Sequence, residues 1–171
     1  PRAAGGPFRS LTDFCARVDL RLVNRRVLES LIKAGAFDSV GPTRAHLLAT
    51  LDAAMETGQR QQRDREEGQV SLFDLGAAAP PAATAEVPIV PEWDTDQLLA
   101  GEKEVLGFYI SGHPLARYRP LIESLGVTTT GDVPAKSPGA RVRLLGQVAA
   151  MKEIPTKSGE RMAFVTFEDM E

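Results

Sequence analysis

At 171 residues the chain has room for one ordinary domain or two small ones, and 43% hydrophobic with 25% charged residues marks it as globular rather than disordered. A net charge of −3 gives no global pull towards nucleic acid, so any such contact needs a local patch. One cysteine and two histidines exclude a disulfide framework and a Cys/His zinc site and fit a reducing, cytosolic compartment. No run approaches the ~20 apolar residues of a membrane span, and no signal peptide is evident. The start at Pro1 rather than Met, with the stop at Glu171 after a strand-like run, points to a piece of a longer chain.

Leu11, Phe14, Cys15 and Val18 recur at helical spacing and predict a helix over 10–18, capped by Ser10 or Thr12. Cys15 lies on the apolar face with no histidine near it in sequence, which reads as a small core residue rather than a nucleophile. A second helix is predicted over 24–34, with Val27, Leu28, Leu31 and Ile32 inward, Gly35 as its stop and Phe37 folding back. A third runs from Thr43 through Leu47, Leu48, Leu51 and Met55 and extends into 59–67, where balanced Arg and acidic residues read as a solvated face.

Next comes Gln69-Val70-Ser71-Leu72-Phe73, between that charged run and an Ala/Pro tract over 76–91. Two bulky anchors flanked by soluble chain are how a short linear motif offers itself to a pocket on another protein. The pentapeptide resembles the bacterial sliding-clamp-binding motif Gln-Leu-(Ser/Asp)-Leu-Phe. The alternative is that Leu72, Phe73 and Leu75 dock on the chain's own core. The Ala/Pro tract reads as a mobile linker, because proline removes helix and ladder donors.

From Trp93 the chain reorders. Asp94 or Thr95 caps a helix carrying Leu98, Leu99, Val105 and Leu106, broken by Ser111-Gly112-His113-Pro114, and a further helix carries Leu115, Tyr118, Leu121, Ile122 and Leu125 up to Gly126. Glu102-Lys103-Glu104 reads as surface charge or a packing contact, since adjacent helical residues point about 100° apart. His113, without carboxylate or thiol partners, reads as a turn residue rather than a catalyst. After Pro138 the period becomes two: Val142, Leu144, Gly146 and Val148 predict one strand, Met162 to Glu168 another, and Pro155–Gly159 the turn of a hairpin. The fold class is therefore α+β.

Four blocks carry a wider resemblance: Ser10 to Asp19, Asn24 to Asp38, Glu102 to Leu115 and Thr156 to Ala163. Leu31-Ile32-Lys33-Ala34-Gly35-Ala36-Phe37-Asp38 and Gly107-Phe108-Tyr109-Ile110-Ser111-Gly112-His113-Pro114-Leu115 are the most specific runs. In that order they resemble the C-family of bacterial replicative DNA polymerases. The resemblance implies a helix-hairpin-helix region over 1–58, then the charged extension, clamp-binding peptide and Ala/Pro linker over 59–92. A helical connector over 93–138 and the first strands of a truncated OB-fold barrel over 139–171 follow. It implies the sliding clamp as partner through Gln69, Val70, Ser71, Leu72 and Phe73, DNA through the helix-hairpin-helix and OB regions, and other replisome subunits through the parent chain. Catalytic residues and the polymerase's Mg2+ belong elsewhere in that parent, so no catalytic residue, cofactor or metal site is expected here. The implied location is the bacterial cytoplasm, at the nucleoid.

Two departures from the family pattern stand out. The hairpin turn Asp19-Leu20-Arg21-Leu22-Val23-Asn24 lacks the Gly-x-Gly that brings backbone N–H groups to a phosphate, leaving Arg21, Arg25 and Arg26 as candidate DNA contacts. Val70 replaces the motif's leucine and trims one methylene, worth about 0.8 kcal/mol if fully buried. A nucleic-acid-binding module without a clamp partner is the competing reading. An interdomain scaffold is a third.

Overall fold

Local signals set most helix boundaries in the computed structural model, which describes residues 2–67 and 88–170. The pentapeptide Gln69–Phe73 and most of the Ala/Pro tract lie outside the described residues. The described residues fall into two units, Pro1–Tyr109 and Ile110–Glu171. That boundary lies inside the segment 93–138 expected as one connector.

The first unit carries α1 (Arg2–Gly5), α2 (Leu11–Arg17), α3 (Arg25–Lys33), α4 (Arg44–Ala49), α5 (Leu51–Glu66) and α6 (Thr95–Leu106). Ser10 caps α2 by accepting from Asp13 N–H, Asn24 caps α3 through Val27 N–H, and Thr43 caps α4 through His46 N–H. Asp94 and Gln97 cap α6 reciprocally. Helix α3 ends where Gly35 adopts φ +79: Ala36 N–H reaches back to Leu31 C=O and Gly35 N–H to Ile32 C=O, a Schellman closure. That turn sends Phe37 into the core beside Leu11, Cys15, Leu28, Ile32, Leu47, Leu51 and Ala54. Phe14 packs edge-on against Phe37 at 5.1 Å between ring centroids. Full burial of each large side chain contributes about 1.5–3 kcal/mol.

Three expectations need correction in this unit. Val27 is 40% exposed, on the rim rather than inside. The single helix expected from Thr43 is two, because Thr50 leaves helical geometry (φ −98, ψ 2) while its hydroxyl donates to His46 C=O at 2.9 Å. The charged run after Met55 is not wholly a solvated face. Gln62 Nε2 donates to Cys15 C=O (2.6 Å) and Val18 C=O (2.7 Å), and Arg65 to Ala16 C=O (3.1 Å). These bonds serve carbonyls at the C-terminal end of α2 that no helical N–H reaches. Gly58 permits the approach, since a Cβ there would lie 2.6 Å from the Cys15 carbonyl carbon.

In the second unit a 3-10 turn (Pro114–Tyr118) runs into α7 (Arg119–Leu125). The single helix expected here is interrupted because Pro120, lacking an N–H, cannot continue the ladder and instead opens α7. A short 3-10 turn at Val133–Ala135 precedes strands β1 (Gln147–Pro155) and β2 (Arg161–Glu168). They pair antiparallel, with Ile154 opposite Met162 and a register irregularity between Val148 and Ala150. Gly159 closes the turn at φ +83, donating to Thr156 C=O at 3.0 Å. The strand expected from Val142 begins only at Gln147. Before it, Arg143 C=O accepts from Thr128 N–H at 2.7 Å instead of joining β2. Gly146 sits so close to Phe167 that a Cβ would fall 2.5 Å from its ring. Leu115 is the one buried residue among the described residues of this unit. Val148, Met151, Phe164 and Val165 are each at least half exposed.

Candidate nucleic-acid interface

Helices α2 and α3 are joined by the turn Val18–Asn24, whose backbone is held from within. Asp19 C=O accepts from both Leu22 N–H and Val23 N–H at 3.1 Å. The Asp19 carboxylate takes a third donor of the turn, Arg21 N–H, at 2.9 Å, and grips the Arg21 guanidinium through Nε (3.0 Å) and Nη2 (3.1 Å). The side-chain bonds from Arg21, and then its backbone bond, hold the Asp19 carboxyl below its ordinary value. Three successive N–H groups of the glycine-free turn, those of Arg21, Leu22 and Val23, are thus taken by Asp19.

The other two candidate cations follow at the start of α3. Arg25 donates to Asp52 on α5 at 2.8 Å and pairs with Glu29 one turn on. Arg26 is exposed, makes no ion pair among the described residues, and borders an apolar groove with Val27, Ser30, Leu31, Val105 and Leu106. All three arginines lie within one hairpin and one helical turn, as the sequence places them. Two of them are occupied by carboxylates of the same unit. A second groove runs between the hairpin and the C-terminal half of α5, bordered by Arg17, Asp19, Arg21, Gln62, Arg63 and Glu66.

His113 Nδ1 accepts from Leu115 N–H at 3.1 Å, which caps the following 3-10 turn. Cys15 is fully buried, and burial pushes its thiol up to about 11, the behaviour of a core residue. Lys33 pairs with Glu104 at 2.7 Å on the surface.

Glu102 departs from the surface-charge reading: it is completely buried and accepts from Arg44 Nη1 at 2.9 Å. Arg44, 6% exposed, also grips Asp38 at 2.9 and 2.7 Å and donates to Lys33 C=O at 3.1 Å. The hydrogen bonds Arg44 donates to Asp38, against an opposing burial effect, and to Glu102 raise its pKa further, so the guanidinium stays charged. Beside it, Glu92 accepts from Arg44 N–H (2.7 Å) and Ala45 N–H (3.1 Å) at the start of α4. Burial opposes the charged form of Glu92, but the backbone N–H bonds from Arg44, Ala45 and Trp93 outweigh it and hold the carboxyl below its usual range. Thr43 Oγ1 donates to Val90 C=O at 2.8 Å in the same corner. The network seats 88–106 on the helices of 25–49. Its sequence signal is a charge on an apolar stripe: Glu102 three residues after Leu99, and Arg44 three before Leu47.

Residues 1–47 match the family model of the helix-hairpin-helix motif, which defines the class of the α2–turn–α3 element. Over nearly its whole length the chain is also similar to DNA polymerase III subunit alpha, as the resemblance around Leu31–Asp38 and Gly107–Leu115 implies. It is 37% identical to that of Vibrio cholerae over 171 residues, 39% to that of Neisseria meningitidis serogroup B over 170, and 36% to that of Escherichia coli K12 over 169. These matches cover 98–99% of the chain but only 14–15% of each relative. The chain thus spans about one-seventh of the length of these relatives, as a segment of such a protein would.

Proposed function

We propose that the chain is a segment of the alpha subunit of a bacterial DNA polymerase III, which tethers the polymerase to the sliding clamp through Gln69–Phe73 and helps hold DNA. The observation that carries this reading is similarity to DNA polymerase III subunit alpha over 98% of the chain in the Vibrio cholerae comparison. The clamp part rests on the pentapeptide itself. Leu72 and Phe73 fill an apolar pocket on the clamp, Gln69 hydrogen-bonds at its rim, Val70 makes a secondary contact and Ser71 faces water. Five residues give modest affinity, because ordering a short segment costs free energy. A ring around DNA converts that grip into processivity by holding the polymerase at high effective concentration near the primer end.

In this reading the parent chain is a DNA-directed DNA polymerase working in the bacterial cytoplasm with other replisome subunits. Residues 139–171 are the first strands of an OB fold. The bulged, apolar hairpin β1–β2 supports that assignment, because two strands do not make a stable body alone. Nucleotidyl transfer is assigned to other parts of the parent. The described residues contain no group of three or more His, Cys, Asp or Glu that could hold a metal ion. No described helix is long and apolar enough to cross a membrane.

The second reading, a nucleic-acid-binding module with no clamp partner, is favoured by the helix-hairpin-helix match, which is independent of the pentapeptide. Titrations with purified clamp and with duplex DNA at two salt concentrations separate the two. Tethering by apolar anchors predicts clamp binding that changes little with salt, whereas phosphate contacts weaken steeply. DNA binding without clamp binding at either salt would favour the module.

A further inference from the structure

We infer that Asp19 is an intramolecular competitor for nucleic-acid phosphate at the hairpin, occupying a three-donor cradle made by Arg21. The inference rests on the nucleic-acid part of the proposed function and adds to it a residue that sets how strongly the hairpin binds. Three donors converge on one carboxylate: Arg21 N–H at 2.9 Å, Nε at 3.0 Å and Nη2 at 3.1 Å. A guanidinium fork beside a backbone N–H is a geometry that a phosphodiester oxygen pair accepts as readily as a carboxylate does. The cradle is open to solvent, with the Arg21 side chain 88% exposed and that of Asp19 39% exposed. An ion pair so exposed is weak enough for a phosphate to compete for the guanidinium, while the carboxylate, tethered two residues away, keeps the advantage of proximity. The neighbouring groove adds a cation at Arg63, with Glu66 as an opposing charge, while Arg17 at its edge is paired with Asp13 at 3.0 Å.

Asp19 is thus a built-in negative charge that the ligand must displace and then sit beside. Arg21 is the one cation within the turn Val18–Asn24, and Asp19 sets how available it is. The competition also limits binding to free anions and favours a polyanion that contacts several cations of the surface at once.

The test is a double-mutant cycle on the 171-residue chain, with a labelled DNA duplex as the probe. Asp19→Asn keeps an acceptor for Arg21 N–H and removes the charge; circular dichroism and thermal melting of each variant establish that it is folded. Asp19→Asn is expected to tighten duplex binding roughly fivefold, the effect of one unit charge about 4 Å from a phosphate in water. It also steepens the dependence of log K on log salt by about 0.9, one more phosphate neutralised. Arg21→Ala weakens the Asp19→Asn variant more than the wild type, because only there is Arg21 released. Unchanged or weaker binding by a folded Asp19→Asn chain, or strictly additive effects of the two substitutions, overturns the inference while leaving the nucleic-acid reading in place. Absence of duplex binding by every form overturns both.

Discussion

The two units differ in how they dispose of apolar surface. In the first, eight side chains form one buried cluster, and a fully buried carboxylate accepts from a guanidinium that also donates to a backbone carbonyl. In the second, Leu115 is the only buried side chain among the described residues, while Met151, Phe164 and Val165 stand at least half exposed on the hairpin. The first unit therefore carries its own core. The second buries little, and its strands present apolar groups on both faces.

The comparison is broken most forcefully at Arg44 and Glu102. Replacing Arg44 by Met leaves the fully buried Glu102 carboxylate without its guanidinium and is expected to destabilise the first unit by about 3–5 kcal/mol in urea titrations. Replacing the pair together by Arg44→Met and Glu102→Leu recovers much of that loss. A contrast between cores follows: Leu28→Ala, at a site with no exposure, costs about 2–5 kcal/mol, whereas Phe164→Ala, 58% exposed, changes stability by about 0.5 kcal/mol or less. A similar cost at both positions would show that the second unit has a core of its own.

Gly58→Ala sharpens the account of α5. Helix propensity alone favours alanine by about 1 kcal/mol. Here the added Cβ meets the Cys15 backbone at 2.6 Å, so the clash wins and the variant is less stable by about 1–3 kcal/mol. The smallest effect is one of pH. The carboxyls of Glu92 and Asp13 are held below their ordinary values, by backbone bonds at the start of α4 and by Arg9 and Arg17 near α2, both against burial. Carboxyls depressed in this way stabilise the folded chain above their unfolded pKa, and the gain is lost as pH falls through the folded value. The melting temperature of the first unit is expected to fall as pH drops below about 4, and Glu92→Gln flattens that fall.

Much of this was legible in the sequence wherever one local rule decided the outcome. Ser10 and Asp94, each one of two caps the sequence offers, cap their helices, Gly35 stops α3, and the Thr156–Gly159 turn joins two strands. Legibility failed where distant segments decided. Thr50 splits a helix because its hydroxyl finds His46 C=O, and Gln62 and Arg65 leave solvent because α2 presents carbonyls to them. The Arg44–Glu102 pair spans 58 positions, so spacing within one helix could only mark each charge as misplaced on an apolar stripe. The candidate arginines come from the hairpin turn that the resemblance marks. The pairing of Arg25 with Asp52 was not legible, because the two lie 27 positions apart, and that of Arg21 with Asp19 depends on how the turn folds.

The tethering account turns on two side chains that Leu-Phe patterning singles out. Its most direct test is a calorimetric titration of purified sliding clamp into the chain and into the Leu72→Ala, Phe73→Ala double variant. Each anchor in a filled pocket is worth about 2 kcal/mol or more, so the double variant is expected to lose binding by a factor of at least ~100. Clamp binding unchanged in that variant would contradict the account.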